Sequence, residues 1–150
     1  MGLDTSHDAW HGAYSAFMRW REMIAEIAGM PPLRMMEGFW TKGQAPYDPA
    51  TMIFNDESGK ESVERFCSGL PIKWEALKPS ALHALLYHSD CEGELSPEEC
   101  RGIADELEKL LPLFPQGDGG GHIGNWRDKT SQFIAGCRAA AEANEPINFH

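Results

Sequence analysis

Three observations predict a mainly α fold: a single compact domain of about four helices, with a short β hairpin and a long irregular connection in the middle. Apolar residues recur at helical spacing near both ends of the chain. Glycine, proline and polar capping residues stand where those periodic stretches start and stop. Between them, residues 30–69 are interrupted by Pro31, Pro32, Pro46 and Pro49 and hold no sustained period. The length of 150 residues makes one domain the default. Such a chain buries on the order of 70% of its unfolded surface, which is enough for a core.

The first predicted helix runs from Thr5 to Ala28. At 100° per residue, Trp10, Ala13, Phe17, Trp20, Ile24 and Ile27 share one face. Asp4 or Thr5 caps its start, and Gly29 with Pro31-Pro32 ends it. In the irregular middle, Thr51 to Phe54 reads as a short strand, Asn55 to Gly59 as a polar turn, and Pro71 to Trp74 as a second strand. Two short strands make a hairpin that needs helices to pack on. Pro79 suits a first helical position and opens a helix to Tyr87. Ser96-Pro97-Glu98-Glu99 carries a capping box, and Cys100, Ile103, Leu107, Leu110 and Leu111 keep helical spacing until Pro112. The last helix spans Trp126 to Ala143, with Trp126, Phe133, Ile134, Cys137 and Ala141 inward. Asn144 suits its C-cap, and Pro146 blocks continuation.

Lys and Arg number 13 against 23 Asp and Glu, a formal charge of −10. That balance excludes a generic nucleic-acid or anionic-membrane binder, since counterion release needs clustered cations. No apolar run approaches the roughly 20 residues of a bilayer span. The first residues lack the basic and apolar regions of a secretory leader. Gly2 with Ser6 matches a myristoylation pattern only formally. Cys67, Cys91, Cys100 and Cys137 are then expected as thiols, in a cytoplasmic protein.

Two segments carry candidate metal chemistry. The first, from His88 to Glu99, is similar to an EF-hand calcium loop. With Gly93 as the sixth position, Asp90 falls at the third and Glu92 at the fifth. Glu94 falls at the seventh, where the backbone carbonyl serves, and Glu99 at the twelfth. His88 stands at the first position, where the family has Asp, and imidazole is a poorer calcium ligand. The alternative is a metal-free turn, with Gly93 relieving the backbone and Glu99 completing the capping box. A third reading is a transition-metal site using His88 and Cys91.

The second segment holds His7 and His11. On a helix these lie at i and i+4 and could chelate one ion, with His88, Asp90, Cys91, His122 or His150 as a further ligand. A closed set would make a structural zinc, and an open one a catalytic metal. Asp4 or Asp8 could orient an imidazole. Histidines near a helix start also find partners without metal. Gly12 within that helix costs roughly 1 kcal/mol against Ala, so close packing or a ligand would account for it.

Other signals carry less. Residues 116–125 are glycine-rich but lack the Lys and Ser or Thr of a phosphate loop, and neither GxSxG nor HExxH occurs. The five Trp are dispersed, as core residues are. Leu3-Asp4-Thr5-Ser6-His7-Asp8 with Trp10-His11-Gly12, Tyr14-Ser15 and Phe17 carries a resemblance, together with Leu85 to Glu94 and Ala139 to Phe149. On these the chain resembles a family of small uncharacterised bacterial and phage or prophage-type proteins. The resemblance implies such an origin and a cytosolic site of action, and adds no catalytic residue.

Three functions are therefore expected in turn. The first is a small domain binding a divalent ion, Ca2+ or Zn2+, through the acidic loop or the His cluster. The second is a metal-dependent hydrolase built on His7, His11 and His88. The third is an acidic interaction or inhibitor protein that blocks a host protein partner.

Overall fold

The first helix begins at Tyr14, not at Thr5. The structure is a computed structural model and describes residues 2–39, 53–66, 69–120 and 123–150. It opens with a hairpin: β1 (Gly2–Asp4) pairs antiparallel with β2 (His11–Ala13), Leu3 opposite Gly12. The reason is local. The Thr5 hydroxyl accepts the Trp10 amide at 2.9 Å, and the Thr5 amide donates to the Trp10 carbonyl at 3.1 Å. The residue expected to cap a helix closes a turn instead. At the apex, His7 and Asp8 take left-handed φ values of 58° and 53°, which no right-handed helix accommodates. Gly12 is thus a strand residue, and its apparent helical cost does not arise.

Helix α1 (Tyr14–Ile27) buries Phe17, Trp20 and Ile24, as its period predicts. Gly29 follows with φ 71°, and a Cβ there would come within 2.5 Å of the Asn55 amide nitrogen. The glycine is needed for the chain to double back. Helix α2 (Glu57–Phe66) then occupies part of the stretch read as irregular. The Asp56 carboxylate accepts the Gly59 amide at 3.1 Å and starts it.

The hairpin expected in the middle is found at the N-terminus. Thr51 and Met52 lie outside the described residues, and Ile53 and Phe54 form no strand. Ile72 makes one isolated bridge with Met36, and Trp74–Ala76 is a 3-10 turn. Helix α3 (Leu82–Leu86) is shorter than the span opened by Pro79.

The two helices that follow match their expected spans, while the two short strands beside them, Glu94–Leu95 and Ile147–Asn148, are not among the expected elements. β3 (Glu94–Leu95) precedes α4 (Pro97–Leu110), whose capping box joins the Ser96 hydroxyl to the Glu99 amide at 3.1 Å. The reciprocal bond joins the Ser96 amide to the Glu99 carboxylate at 2.9 Å. Helix α5 (Trp126–Ala143) ends on Asn144 in the left-handed conformation. α4 packs along α5, burying Cys100, Ile103 and Leu107 with Phe133, Cys137 and Ala140.

The last strand, β4 (Ile147–Asn148), pairs antiparallel with β3. Beyond it, Asp4 and His150 exchange backbone bonds of 3.0 and 2.9 Å. The hairpin, the tail and the loop before α4 are thereby joined in one ribbon. Beneath it lies an aromatic cluster. Ring centroids are 5.1 Å apart for Trp10 and Trp20, 4.9 Å for Trp20 and Phe133, and 5.9 Å for Phe17 and Phe149. The buried Trp20 indole donates to the Thr130 hydroxyl at 3.0 Å.

Candidate functional site

The ribbon brings the two sequence-derived clusters onto one edge of the fold. In the hairpin, His11 lies between two carboxylates. Its Nδ1 is 2.7 Å from Asp4 Oδ1 and its Nε2 is 2.9 Å from Asp8 Oδ1. The bonds to Asp4, then to Asp8, raise its pKa above the usual histidine value. Because β2 replaces a helix here, His7 does not share a helical face with His11. It faces Glu145, at 3.6 Å.

A raised folded pKa means that the His11 pair stabilises fully below the unfolded value near 6.5. That contribution is lost as pH rises through the folded value. The site is exposed, so the effect is small. Replacing His11 by Gln is expected to lower the melting temperature at pH 5 and to leave it unchanged at pH 9. An equal change at both would show that the ion pairs contribute nothing.

In the loop, His88 turns inward. Its Nδ1 is 2.8 Å from the Ser89 carbonyl and its Nε2 is 3.0 Å from the Glu94 carbonyl. The Glu94 carbonyl is the group an EF-hand turns onto its ion at the seventh position. The His88 ring lies against Phe149 at 4.1 Å between centroids. Gly93, with φ 95°, leaves room for the ring, since a Cβ would stand 3.2 Å from His88 Cε1. The Glu99 carboxylate is engaged in the capping box, Glu92 is exposed and Asp90 is half-buried. Among the described residues, no group of three or more His, Cys, Asp and Glu is placed to hold a metal. His122 and Cys67 lie outside those residues.

The loop is anchored from below by Arg21. Its Nη1 donates to the carbonyls of Leu85, Leu86 and His88 at 3.4, 3.2 and 2.6 Å. Burial lowers its pKa to about 10, so it keeps its charge at neutral pH.

A third place, outside both clusters, has the character of a binding site. A cleft of about 320 Å³ opens between the start of α2, the segment leading into α3, and α4. Its polar lining is Asn55, Asp56, Ser58, Lys78, Ser80, His83 and Glu106, and Met30, Pro31 and Leu77 are among its apolar residues. The Ser58 hydroxyl and the Gly59 amide hold the Asp56 carboxyl below the usual carboxylate range. Ser58 Oγ in turn accepts the Lys78 amide at 3.3 Å. The Ser58 proton therefore goes to Asp56, not to a histidine base, so these residues do not form a nucleophilic triad.

His83 Nε2 is covered from solvent and has no hydrogen-bond partner among the described residues. Burial lowers the pKa of its ring, which leans on Trp74 at 5.3 Å and is neutral at pH 7. An unpartnered buried nitrogen costs about 1–3 kcal/mol, which a ligand group could offset.

No spacing in the sequence marks this cleft. Asp56 falls inside the polar turn expected over Asn55 to Gly59, and its spacing to Gly59 is a local signal of a helix start. No family model, curated protein or solved structure matches the chain. No helix among the described residues is long and apolar enough to cross a membrane.

Proposed function

We propose that the protein binds a small polar molecule in the cleft between α2, the 77–83 segment and α4. The unpartnered Nε2 of His83, in a cleft that also holds Asp56 and Ser58, carries this reading. A calcium site in the 88–99 loop, or a zinc or hydrolytic centre on His7, His11 and His88, would first have to free ring nitrogens. Those of His11 and His88 are already engaged. In the cleft the His83 Nε2 is engaged by no described residue, and a ligand has only to displace what covers it from solvent.

The test is a set of proton–nitrogen correlation spectra recorded with imidazole, glycerol, ethanolamine and acetate in turn. At least one compound is expected to shift the Gly59 and Lys78 amides together with the His83 ring. His83→Phe, which replaces the polar group by an apolar ring, is expected to abolish that response. Shifts scattered over the surface, or unchanged in His83→Phe, would overturn the reading.

A further inference from the structure

We propose that His11 is a proton-operated latch on the β1–β2 turn: charged, it ties Asp8 to Asp4, and on losing its proton it releases Asp8. Both ring nitrogens stand against a carboxylate, Nδ1 at 2.7 Å from Asp4 and Nε2 at 2.9 Å from Asp8. An ionised carboxylate only accepts, so both nitrogens must donate, and only the imidazolium has two N–H groups. A neutral ring keeps one N–H and turns a lone pair on the other carboxylate. One of the two bonds is therefore lost with the proton. The backbone decides which. Asp4 lies in β1, paired with His11 across the hairpin and exchanging backbone bonds with His150. Asp8 stands in the turn, with φ 53° and a side chain 92% exposed against 59% for Asp4. The neutral ring thus keeps Nδ1–H on Asp4, and the Asp8 carboxylate swings into solvent. Its left-handed backbone then loses the side-chain bond that helps to hold it.

Titratable groups meet the turn from its neighbouring elements: Asp4 on β1, Lys129 on α5, Glu145 after α5, and His150 beside Asp4 in the tail. The α1 side is apolar, with Phe17 and Trp20 against Trp10. Lys129 brings a like charge to the His11 carbonyl at 2.9 Å and works against the charged ring. The two carboxylates in contact with the ring outweigh it, and the His11 pKa is raised. His7 acts in the same direction as His11, because its contact with Glu145 at 3.6 Å is an ion pair only when His7 is charged. The latch is closed below the unfolded value near 6.5 and opens as pH rises through the folded one. Neutral bonds limit the release. Gln132 still donates to the Asp8 carbonyl at 2.9 Å, and the Ser6 hydroxyl still accepts the Asn148 amide at 2.8 Å. The turn loosens at Asp8 while Ala9 stays buried.

The experiment records long-range proton–nitrogen spectra of the imidazole rings from pH 5 to pH 9, with the Asp8 and Ala9 amides and the Gln132 side-chain amide followed in the same samples. At pH 5 both nitrogens of His11 are expected to be protonated, and at pH 9 Nδ1 alone. The midpoint is expected above 6.5, and the Asp8 and Ala9 amides are expected to shift with that same midpoint. Asp8→Asn, at an exposed position, is expected to lower the midpoint and to remove the response of the Ala9 amide. His7→Asn takes away the other ring of the turn with a residue that tolerates the left-handed conformation, and is expected to leave the response in place. Turn amides that do not follow His11, an Nε2–H ring at pH 9, or a midpoint unchanged in Asp8→Asn would each overturn the latch.

Discussion

Replacing Arg21 by Ala is expected to cost about 3–5 kcal/mol, lowering the melting temperature by about 10 °C. Arg21 is 2% exposed, and its guanidinium lies 4.5 Å from the centre of the Phe17 ring and 5.5 Å from that of Phe39. The carbonyls it reaches belong to the end of α3 and the first residue of the loop, where the helix stops; Leu85 also accepts the His88 amide at 3.4 Å. Alanine would remove the donors and leave a void among aromatic rings.

Two opposing effects set the size. Charge-assisted bonds contribute about 1.5–3 kcal/mol each, while burial of the charge, visible in its lowered pKa, offsets part of the sum. Nε has no partner among the described residues, which trims it again. Arg21→Met separates packing from bonding, because it keeps apolar bulk and removes every donor. A loss of about 2–3 kcal/mol in the Met variant is expected. A Met variant as stable as the parent in urea unfolding would show that the bonds contribute no net stability.

What could be read from the sequence follows from where each element's signal resides. α4 and α5 announce themselves because apolar stripe and end signals agree: Ser96 and Glu99 at the start of one, Asn144 and Pro146 at the end of the other. The Asn125 cap that starts α5 shows only in the structure. The periodicity predicts too long an N-terminal helix because Trp10 fits the apolar period of α1. It is buried all the same, from a hairpin rather than a helix. Periodicity records which residues are inside, not which backbone brings them there.

α2 escaped for the opposite reason. Its buried stripe is Gly59, Ser62, Val63 and Phe66, spaced as a helix requires but half made of small polar-looking residues. The loop from His88 to Glu99 was legible as a turn with a capping box. The inward turn of His88 depends on Phe149, which only the folded tail places beside it. The cleft was invisible in the same sense. Asp56, His83 and Glu106 belong to three helix regions with no spacing rule between them.

The hairpin that displaced the predicted helix also gives the second large effect: Gly136→Ala is expected to destabilise by about 2–3 kcal/mol. On propensity alone the change should stabilise a helix interior by about 1 kcal/mol. The packing reverses that sign. A Cβ at Gly136 would stand 2.5 Å from Ala9 Cβ and 2.7 Å from Ala9 Cα, and Ala9 is completely buried. Relief requires the turn to lift from α5. That turn already holds His7 and Asp8 in left-handed conformations, at about 1–2 kcal/mol each.

It is held down by the same face of α5. Lys129 Nζ donates to the His11 carbonyl at 2.9 Å, and Gln132 Nε2 donates to the Asp8 carbonyl at 2.9 Å. Lifting Ala9 would stretch both bonds, so overpacking should spread into the hairpin instead of being absorbed locally. Ala9→Gly removes the Cβ contact but not the approach to Cα. In a double-mutant cycle it is therefore expected to restore part of the loss caused by Gly136→Ala, with a coupling of about 1 kcal/mol. Strict additivity of the two changes would mean that the turn and α5 do not press on each other at this point. A stabilised Gly136→Ala variant would mean that propensity outweighs packing there.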